Sequence, residues 1–116
     1  MKVEIGKYGK NDRQKASVRI HKHDLYSIDI TLAHVIHPAL VAHRKVMCGL
    51  NVHDEDLLLY KSEESEPAEL IVDEMIFAFK EIKNEGHLSN MSDREYQGRI
   101  RNGLNLFAKY YLGLWT

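Results

Sequence analysis

Five of the seven histidines lie within residues 21–43, and their spacing divides four of them into two pairs. His21 and His23 are two apart, so both side chains leave the same side of an extended strand. His34 and His37 are three apart, so both leave one side of a helix. Imidazole is a common ligand of zinc, which takes three or four ligands in a tetrahedral set. The two pairs are therefore candidate metal ligands, provided that the strand and the helix bring them together.

The alternative interpretation of these histidines is structural. Neither pair alone completes the coordination of zinc, and an imidazole can instead hydrogen-bond to a neighbouring group or to water. Pro38 has no amide hydrogen, so the carbonyl oxygen of His34 loses its helical partner. We therefore expect a kink in the helix at this point, with the two imidazoles beside it.

Carboxylates form a second candidate site. Asp54 and Asp56 lie in an acidic segment, and Asp73 and Glu74 lie on a predicted helix. Magnesium binds carboxylate oxygens, and such an ion can assist the hydrolysis of a phosphoester. These four residues are therefore candidate catalytic residues of a metal-dependent hydrolase, and the alternative is a solvated acidic face. The sequence has neither a glycine-rich phosphate loop nor a nucleophile elbow.

The hydrophobic pattern predicts an α+β fold, in which an N-terminal β-hairpin packs on a three-helix core. Val3 and Ile5 alternate with polar residues, as do Val18 and Ile20 after a turn-rich segment. This pattern predicts a hairpin over residues 1–23. Because an isolated hairpin is only marginally stable in water, we expect it to pack against the helices.

Apolar residues then recur with helical spacing, which predicts helices over residues 28–47, 67–83 and 92–114. Ser92 and Glu95 form a capping box at the start of the third helix. The first helix has an apolar stripe that contains Leu32, Ile36 and Leu40. The apolar stripe of the third helix contains Tyr96, Ile100, Gly103, Phe107, Tyr111 and Leu114.

Gly103 lies inside that stripe, although glycine destabilises a helix by about 1 kcal/mol relative to alanine. We expect another element to approach the backbone closely at this position, where a side chain would leave no room. The core face of the middle helix contains Ile71, Val72, Met75, Ile76, Ala78, Phe79 and Ile82.

Two large apolar residues, Leu70 and Phe77, interrupt the polar side of the middle helix. Either the connector or the hairpin covers them within the chain, or they belong to an interface with another subunit or partner. Tyr110 and Trp115 near the C-terminus could belong to the same interface.

Composition narrows the functional classes. The chain has 116 residues, which fits one domain, and its formal net charge of −1 argues against nucleic-acid binding. Cys48 is the only cysteine, so an intrachain disulfide is excluded, and we expect this residue to be buried. No apolar run approaches the ~20 residues that cross a bilayer. We therefore expect a soluble, cytoplasmic protein.

The chain also resembles a family of small, uncharacterised proteins encoded by tailed bacteriophages. The resemblance rests on Asp24–Asp29, Thr31–Ala33, Ile36, Pro38, Leu40, Asp54–Asp56, Asp73–Ile76, Ala78–Phe79, Arg99–Ile100, Asn102–Gly103, Leu106–Phe107, Lys109–Tyr111 and Leu114–Trp115. Ala108 and Lys80 depart from the family pattern, which more often has glycine and an acidic residue there. The resemblance implies a phage origin, with localisation in the cytoplasm of the infected host, and it implies no established activity.

Two functions follow as expectations. The first is an accessory binding module that forms a homo-oligomer or binds a phage or host protein. The second is a hydrolase of a nucleotide or phosphoester, with a divalent metal ion as its cofactor.

Overall fold

The computed structural model describes residues 1–9, 13–85 and 92–115. It confirms the α+β fold, because an antiparallel N-terminal hairpin precedes a set of packed helices. In chain order the elements are β1 (Lys2–Tyr8), β2 (Gln14–Arg19), α1 (Ile28–Val46), α2 (Asp54–Leu59), α3 (Pro67–Asn84) and α4 (Asp93–Tyr110), with 3-10 turns at Lys22–Leu25 and Tyr111–Gly113. The predicted loop of the hairpin includes residues 10–12, which lie outside the described residues.

The three predicted helices correspond to α1, α3 and α4, whereas α2 was not predicted. α2 has six residues, fewer than two full turns, so its sequence is too short to show helical periodicity. At the start of α4, Ser92 Oγ accepts a hydrogen bond from the Glu95 amide at 3.2 Å, as the capping box predicts. Within the described ranges, no helix is long and apolar enough to cross a membrane.

The core lies around α3, which packs against α1 on one side and α4 on the other. Ile71, Val72 and Met75 of α3 are fully buried. The core cluster contains Ala33, Leu40, Ile71, Met75, Phe79, Leu106 and Tyr110. The core face predicted for the middle helix is therefore confirmed at its centre.

Gly103 marks the closest approach of α3 and α4. A Cβ atom at this position would lie 2.5 Å from the carbonyl oxygen of Glu74 and 2.6 Å from Cβ of Ala78. Both distances are shorter than atoms can adopt without a shift of the backbone. The expected close approach at Gly103 is therefore confirmed, and the loss of helix propensity is offset by tight helix packing.

The apolar stripe predicted for the third helix is confirmed at Tyr96 and Gly103, but its C-terminal half was placed about one residue too far along the helix. α4 buries Tyr96, Leu106 and Tyr110, whereas Tyr111 is exposed. Tyr96, Gly103 and Tyr110 are seven residues apart, which is about two helical turns, so they align along the face that meets α3. The α-helix ends at Tyr110, and the predicted continuation towards Leu114 is a 3-10 turn.

Two further residues differ from expectation. In α1 the buried positions are Ala33 and Leu40, and Leu32 is exposed because it lies one residue away from the face that meets α3. Cys48 follows the end of α1 and is exposed rather than buried. α1 continues through Pro38 to Val46.

The hairpin has one apolar face. Val3 lies opposite Val18, and Ile5 lies opposite Ala16. Directly opposed residues of an antiparallel pair point to the same face, so these four side chains share one side of the sheet. The base of the hairpin lies beside α1, because Met1 and Val3 line a pocket together with residues of that helix. The hairpin thus packs on the helices through its base only, among the described contacts between elements.

Candidate interaction surface

One departure from a buried core is the apolar face of the hairpin. Ile5 is 59% exposed, Val18 is 53% exposed and Ile20, which follows β2, is 56% exposed. These side chains follow the alternation that makes one face of a strand apolar. Such alternation normally indicates a face buried against something, yet the helices of the same chain leave it in solvent.

A second set of exposed apolar residues lies on α1, beside the base of the hairpin. Ile28, Leu32 and Val35 are four and three residues apart, so they form one stripe along the helix. Val35 and Val3 line the same shallow pocket, which has a volume of about 390 Å³. The hairpin face and the α1 stripe are therefore adjacent, and we call their combination the apolar hairpin surface (Val3, Ile5, Ala16, Val18, Ile20, Ile28, Leu32 and Val35).

Asp24 fixes the base of this surface. Its carboxylate is buried, accepts a hydrogen bond from the His21 amide at 2.7 Å and lies 2.7 Å from the N-terminal ammonium group. The ammonium group, followed by the His21 amide, lowers the pKa of Asp24. The backbone carbonyl of Asp24 accepts a hydrogen bond from Thr31 of α1 at 3.1 Å. These bonds hold β1, the 3-10 turn and α1 together.

His21 and His23 lie at the 3-10 turn rather than on a strand. Their rings stack with centroids 5.4 Å apart and planes 8° apart, and both side chains are exposed. His23 Nε2 lies 3.5 Å from a carboxylate oxygen of Asp24. The pair therefore packs against itself and beside one carboxylate.

His34 and His37 face different neighbours. His34 lines the pocket at the base of the hairpin. His37 Nδ1 lies 3.1 Å from the ammonium nitrogen of Lys83. Partial burial, followed by the charges of Lys83 and Lys80, lowers the pKa of His37, which favours the neutral ring as a hydrogen-bond acceptor. A cation would meet two positive charges there.

No group of three or more histidine, cysteine, aspartate or glutamate side chains is arranged to hold a metal ion within residues 1–9, 13–85 and 92–115. The two histidine pairs therefore do not converge on a metal site in these segments, which contain all four of the candidate ligands.

The carboxylates of α3 bind cations on opposite sides of the helix. Asp73 accepts a hydrogen bond from Arg44 Nε of α1 at 2.9 Å, and Arg44 also lies 2.7 Å from Glu69. The hydrogen bond that Arg44 donates to Asp73 raises the pKa of Arg44. Glu74 instead accepts a hydrogen bond from Arg99 Nε of α4 at 3.1 Å. Each of the two neighbouring carboxylates therefore ties α3 to a different helix.

Asp56 belongs to a third, separate cluster, which joins α2 to α4. Its buried carboxylate accepts hydrogen bonds from the Tyr110 hydroxyl and, at 2.8 Å, from the Lys109 ammonium group. The Tyr110 hydroxyl in turn accepts a hydrogen bond from the His53 amide at 3.0 Å. Lys109 also donates to Glu55 at 2.7 Å.

The charges in this cluster reinforce one another. Burial raises the pKa of Asp56, but the hydrogen bonds from Lys109 and Tyr110 outweigh burial and lower it overall. Burial, followed by the hydrogen bond to Asp56, raises the pKa of Tyr110. The hydrogen bond to Asp56 and that to Glu55 raise the pKa of Lys109. Asp56, Lys109, Tyr110 and the His53 amide thus form a hydrogen-bonded clamp between α2 and α4, in which Asp56 and Lys109 each favour the charged form of the other.

The four candidate catalytic residues therefore do not form one acidic site. Asp54 begins α2 and is exposed, Asp56 is enclosed by its clamp, and Asp73 and Glu74 face different helices. Metal-assisted hydrolysis requires carboxylates that converge on one ion. This arrangement stabilises helix packing and does not favour the hydrolase hypothesis.

The predicted interface residues have three different environments. Phe77 is half-buried, and the guanidinium carbon of Arg99 lies 3.7 Å from the centre of its ring. Leu70 is half-buried as well. Tyr110 is only 3% exposed, because its side chain is enclosed by the clamp. It is therefore a core residue rather than the interface residue that the sequence predicted. Trp115 is 73% exposed and remains available to a partner.

A shallow apolar groove of about 290 Å³ lies between α1 and the end of α4. Its lining residues are Val35, Ile36, Ala39, Leu40, His43, Phe107, Tyr111 and Leu114. Val35 also lines the pocket at the base of the hairpin. The exposed apolar area therefore extends from the hairpin along one side of α1.

The candidate surface was only partly visible in the sequence. The alternation of Val3 and Ile5 with polar residues indicated an apolar strand face, but not that this face would stay exposed. The exposure of Leu32 could not be inferred, because the residue fits an apolar stripe that also contains Leu40. Comparison of the chain with protein-family models, with curated proteins and with solved structures finds no match.

Proposed function

We propose that this protein is a self-associating binding module, whose docking element is the apolar hairpin surface. The observation that carries the proposal is that Ile5, Val18 and Ile20 are each more than half exposed on one face of the hairpin. Exposed apolar patches of this kind are typical of sites where proteins interact.

The hairpin combines two features that favour association. It offers an apolar face, and its strands β1 and β2 pair only with each other among the described residues, so that both outer edges carry free backbone groups. A free edge is a template for pairing with another chain. Other exposed apolar residues, such as Leu58 and Leu112, lie on a short helix or turn that lacks such an edge.

A two-stranded hairpin is marginally stable by itself. Its helices support only its base, so a partner on the apolar face would also stabilise the hairpin. Association and ordering of the hairpin are therefore coupled in this proposal, as expected when binding favours one conformation.

The test is the molar mass in solution, measured by light scattering over a range of protein concentrations. The chain has a mass of 13.5 kDa, and the proposal predicts at least twice this mass at high concentration. Val18→Asp places a charge on the apolar face and should return the mass to that of one chain. Circular dichroism should show that the helices of this variant are intact.

Leu112→Asp is the matched control, because Leu112 is 92% exposed and lies in the turn after α4. This variant should associate like the original protein. The proposal is contradicted if the original protein remains a monomer at the highest concentration, or if both variants lose association equally.

A phage origin, suggested by the resemblance of the sequence, is compatible with an accessory binding module. It stays a prediction, as does localisation in the cytoplasm of an infected host. A phage or host protein that binds the same apolar hairpin surface is the alternative partner.

A further inference from the structure

The geometry points to the partner and to the way it binds: a second copy of this chain pairs with the first along the outer edge of β1. The two β1 strands run antiparallel about a two-fold axis at Val3, and together the two hairpins form a four-stranded sheet. This inference rests on the proposed self-association and adds the strand, the register and the symmetry.

Charge decides which edge is used. β2 contains Lys15 and Arg19 and has no acidic residue, so two β2 strands side by side would bring only positive charges together. β1 contains Lys2 and Glu4, whose side chains lie 3.2 Å apart on the polar face and are each about two-thirds exposed. β1 is therefore the edge on which opposite charges are available to a second copy.

Charge also selects the register. In a symmetric antiparallel pair centred on Val3, Lys2 of each copy lies opposite Glu4 of the other, which gives two attractive pairs. Centring the pair on Lys2, Glu4 or Lys7 instead places like charges directly opposite each other. Centring it on Ile5 places Glu4 opposite Gly6, which carries no charge, so the attractive pairs are lost.

The Val3-centred register also joins the apolar faces. Val3 lies opposite its own copy, and Ile5 lies opposite Met1 of the second copy. The axis is perpendicular to the sheet, so both copies keep their apolar faces on the same side. Met1 and Val3 line a pocket with residues of α1 in each chain. The α1 helix of one copy is therefore brought beside the exposed Ile5 of the other, which covers the half of the hairpin that its own helices leave in solvent.

The symmetry closes the assembly. Pairing of β1 with β1 uses the same edge on both copies and ends at a dimer. Pairing of β1 with β2 of another copy would also bring Glu4 near positive charges, but it would leave one free edge on each new chain and would continue into a filament. A mass that stops at two chains therefore distinguishes the two arrangements.

The first test is a charge exchange, with association measured by sedimentation equilibrium. Lys2→Glu and Glu4→Lys each turn two attractive pairs into two repulsive pairs, and each should weaken the dimer about tenfold. The double variant Lys2→Glu/Glu4→Lys restores both attractive pairs and should recover the original affinity. Lys15→Glu changes the net charge as much as Lys2→Glu does, but on β2, and should leave the dimer intact.

The second test is a disulfide between the two copies, made in a Cys48→Ser background. Directly opposed Cβ atoms are about 4.5–5.5 Å apart, which is close enough for a disulfide after a small adjustment. Val3→Cys should therefore form a cross-linked dimer under mild oxidation. Val18→Cys is the control, because Val18 is the partner of Val3 within the chain and lies one strand away from the axis.

The outcomes separate this inference from the proposed function. If the original protein dimerises and Val18→Asp abolishes the dimer, but the charge exchange has no effect, the apolar surface binds in another way and the β1 pairing is wrong. If the double variant stays weak, or if Val18→Cys cross-links as well as Val3→Cys, the register is wrong. If the original protein is a monomer throughout, the proposed function fails as well.

Discussion

Isoleucine occupies two contrasting environments in this chain. Ile71 in α3 is fully buried between α1 and α4, whereas Ile5 in β1 is 59% exposed on a sheet face that is otherwise apolar. The same side chain thus stabilises the fold in one region and remains available for binding in the other. Because burial of apolar surface is the main source of stability, the helical body should determine whether the chain folds, and the hairpin should determine what it binds.

The polar side chains follow the same division. In the helical body, Arg44, Arg99 and Lys109 each join carboxylates of one helix to another helix. In the hairpin, Lys2 and Glu4 contact each other on the surface of one strand. Charges therefore tie the helices together, whereas the exposed Lys2–Glu4 pair of the hairpin is accessible to a second chain.

The largest expected difference between the two regions is in stability, when isoleucine is replaced by alanine in the core at Ile71 and on the hairpin at Ile5. Ile71→Ala should lower the free energy of unfolding by about 2–5 kcal/mol, because it opens a cavity in the core. Ile5→Ala should change it by less than about 0.5 kcal/mol in dilute solution, where the side chain stays in water. Urea denaturation followed by circular dichroism measures both free energies of unfolding. Equal losses of stability in the two variants would contradict the division between a buried core and an exposed hairpin face.

The second prediction concerns helix packing at Gly103. Gly103→Ala forces a methyl group against the backbone of α3 and should lower the free energy of unfolding by about 1–3 kcal/mol. Gly98→Ala is the control on the same helix, since nothing lies within 4 Å of the new Cβ atom. This control should stabilise the protein by up to about 1 kcal/mol through helix propensity. A stable Gly103→Ala variant would show that α3 and α4 are further apart.

The smallest effect is expected at the clamp between α2 and α4. Tyr110→Phe removes the hydroxyl that joins Asp56 to the His53 amide and should lower the free energy of unfolding by about 1 kcal/mol. Tyr111→Phe alters the neighbouring, exposed tyrosine and should have an effect below about 0.5 kcal/mol. Thermal denaturation compares the stability of the two variants. A larger loss of stability for Tyr111→Phe than for Tyr110→Phe would contradict the role assigned to the Tyr110 hydroxyl.

The sequence predicted the elements of the fold better than their contacts. Helical spacing located α1, α3 and α4, and Gly103 indicated a close approach, because these features depend on residues near one another in the chain. Tyr110 was assigned to an interface and Tyr111 to the core, since a rotation of one residue is enough to exchange their environments. α2 was not predicted, because six residues contain too few apolar positions for a periodic pattern.

The candidate site was less predictable for a physical reason. The acidic residues suggested a metal site because their arginine partners are too distant in sequence to be recognised as partners. Arg44 is 29 residues from Asp73, and Arg99 is 25 residues from Glu74. Only the packing of the helices shows that these charges are already neutralised. The exposure of the hairpin face could not be predicted either, because an alternating apolar pattern does not reveal whether the same chain or another chain covers that face.

Hydrogen exchange of the backbone amides, measured at several protein concentrations, tests the central claim most directly. The account predicts that protection in β1 increases with concentration as the hairpin is bound by a second copy, while protection in α3 stays constant because it depends on the fold of one chain. Protection in β1 that does not change with concentration, up to the highest attainable, would contradict the claim that the hairpin is the docking element.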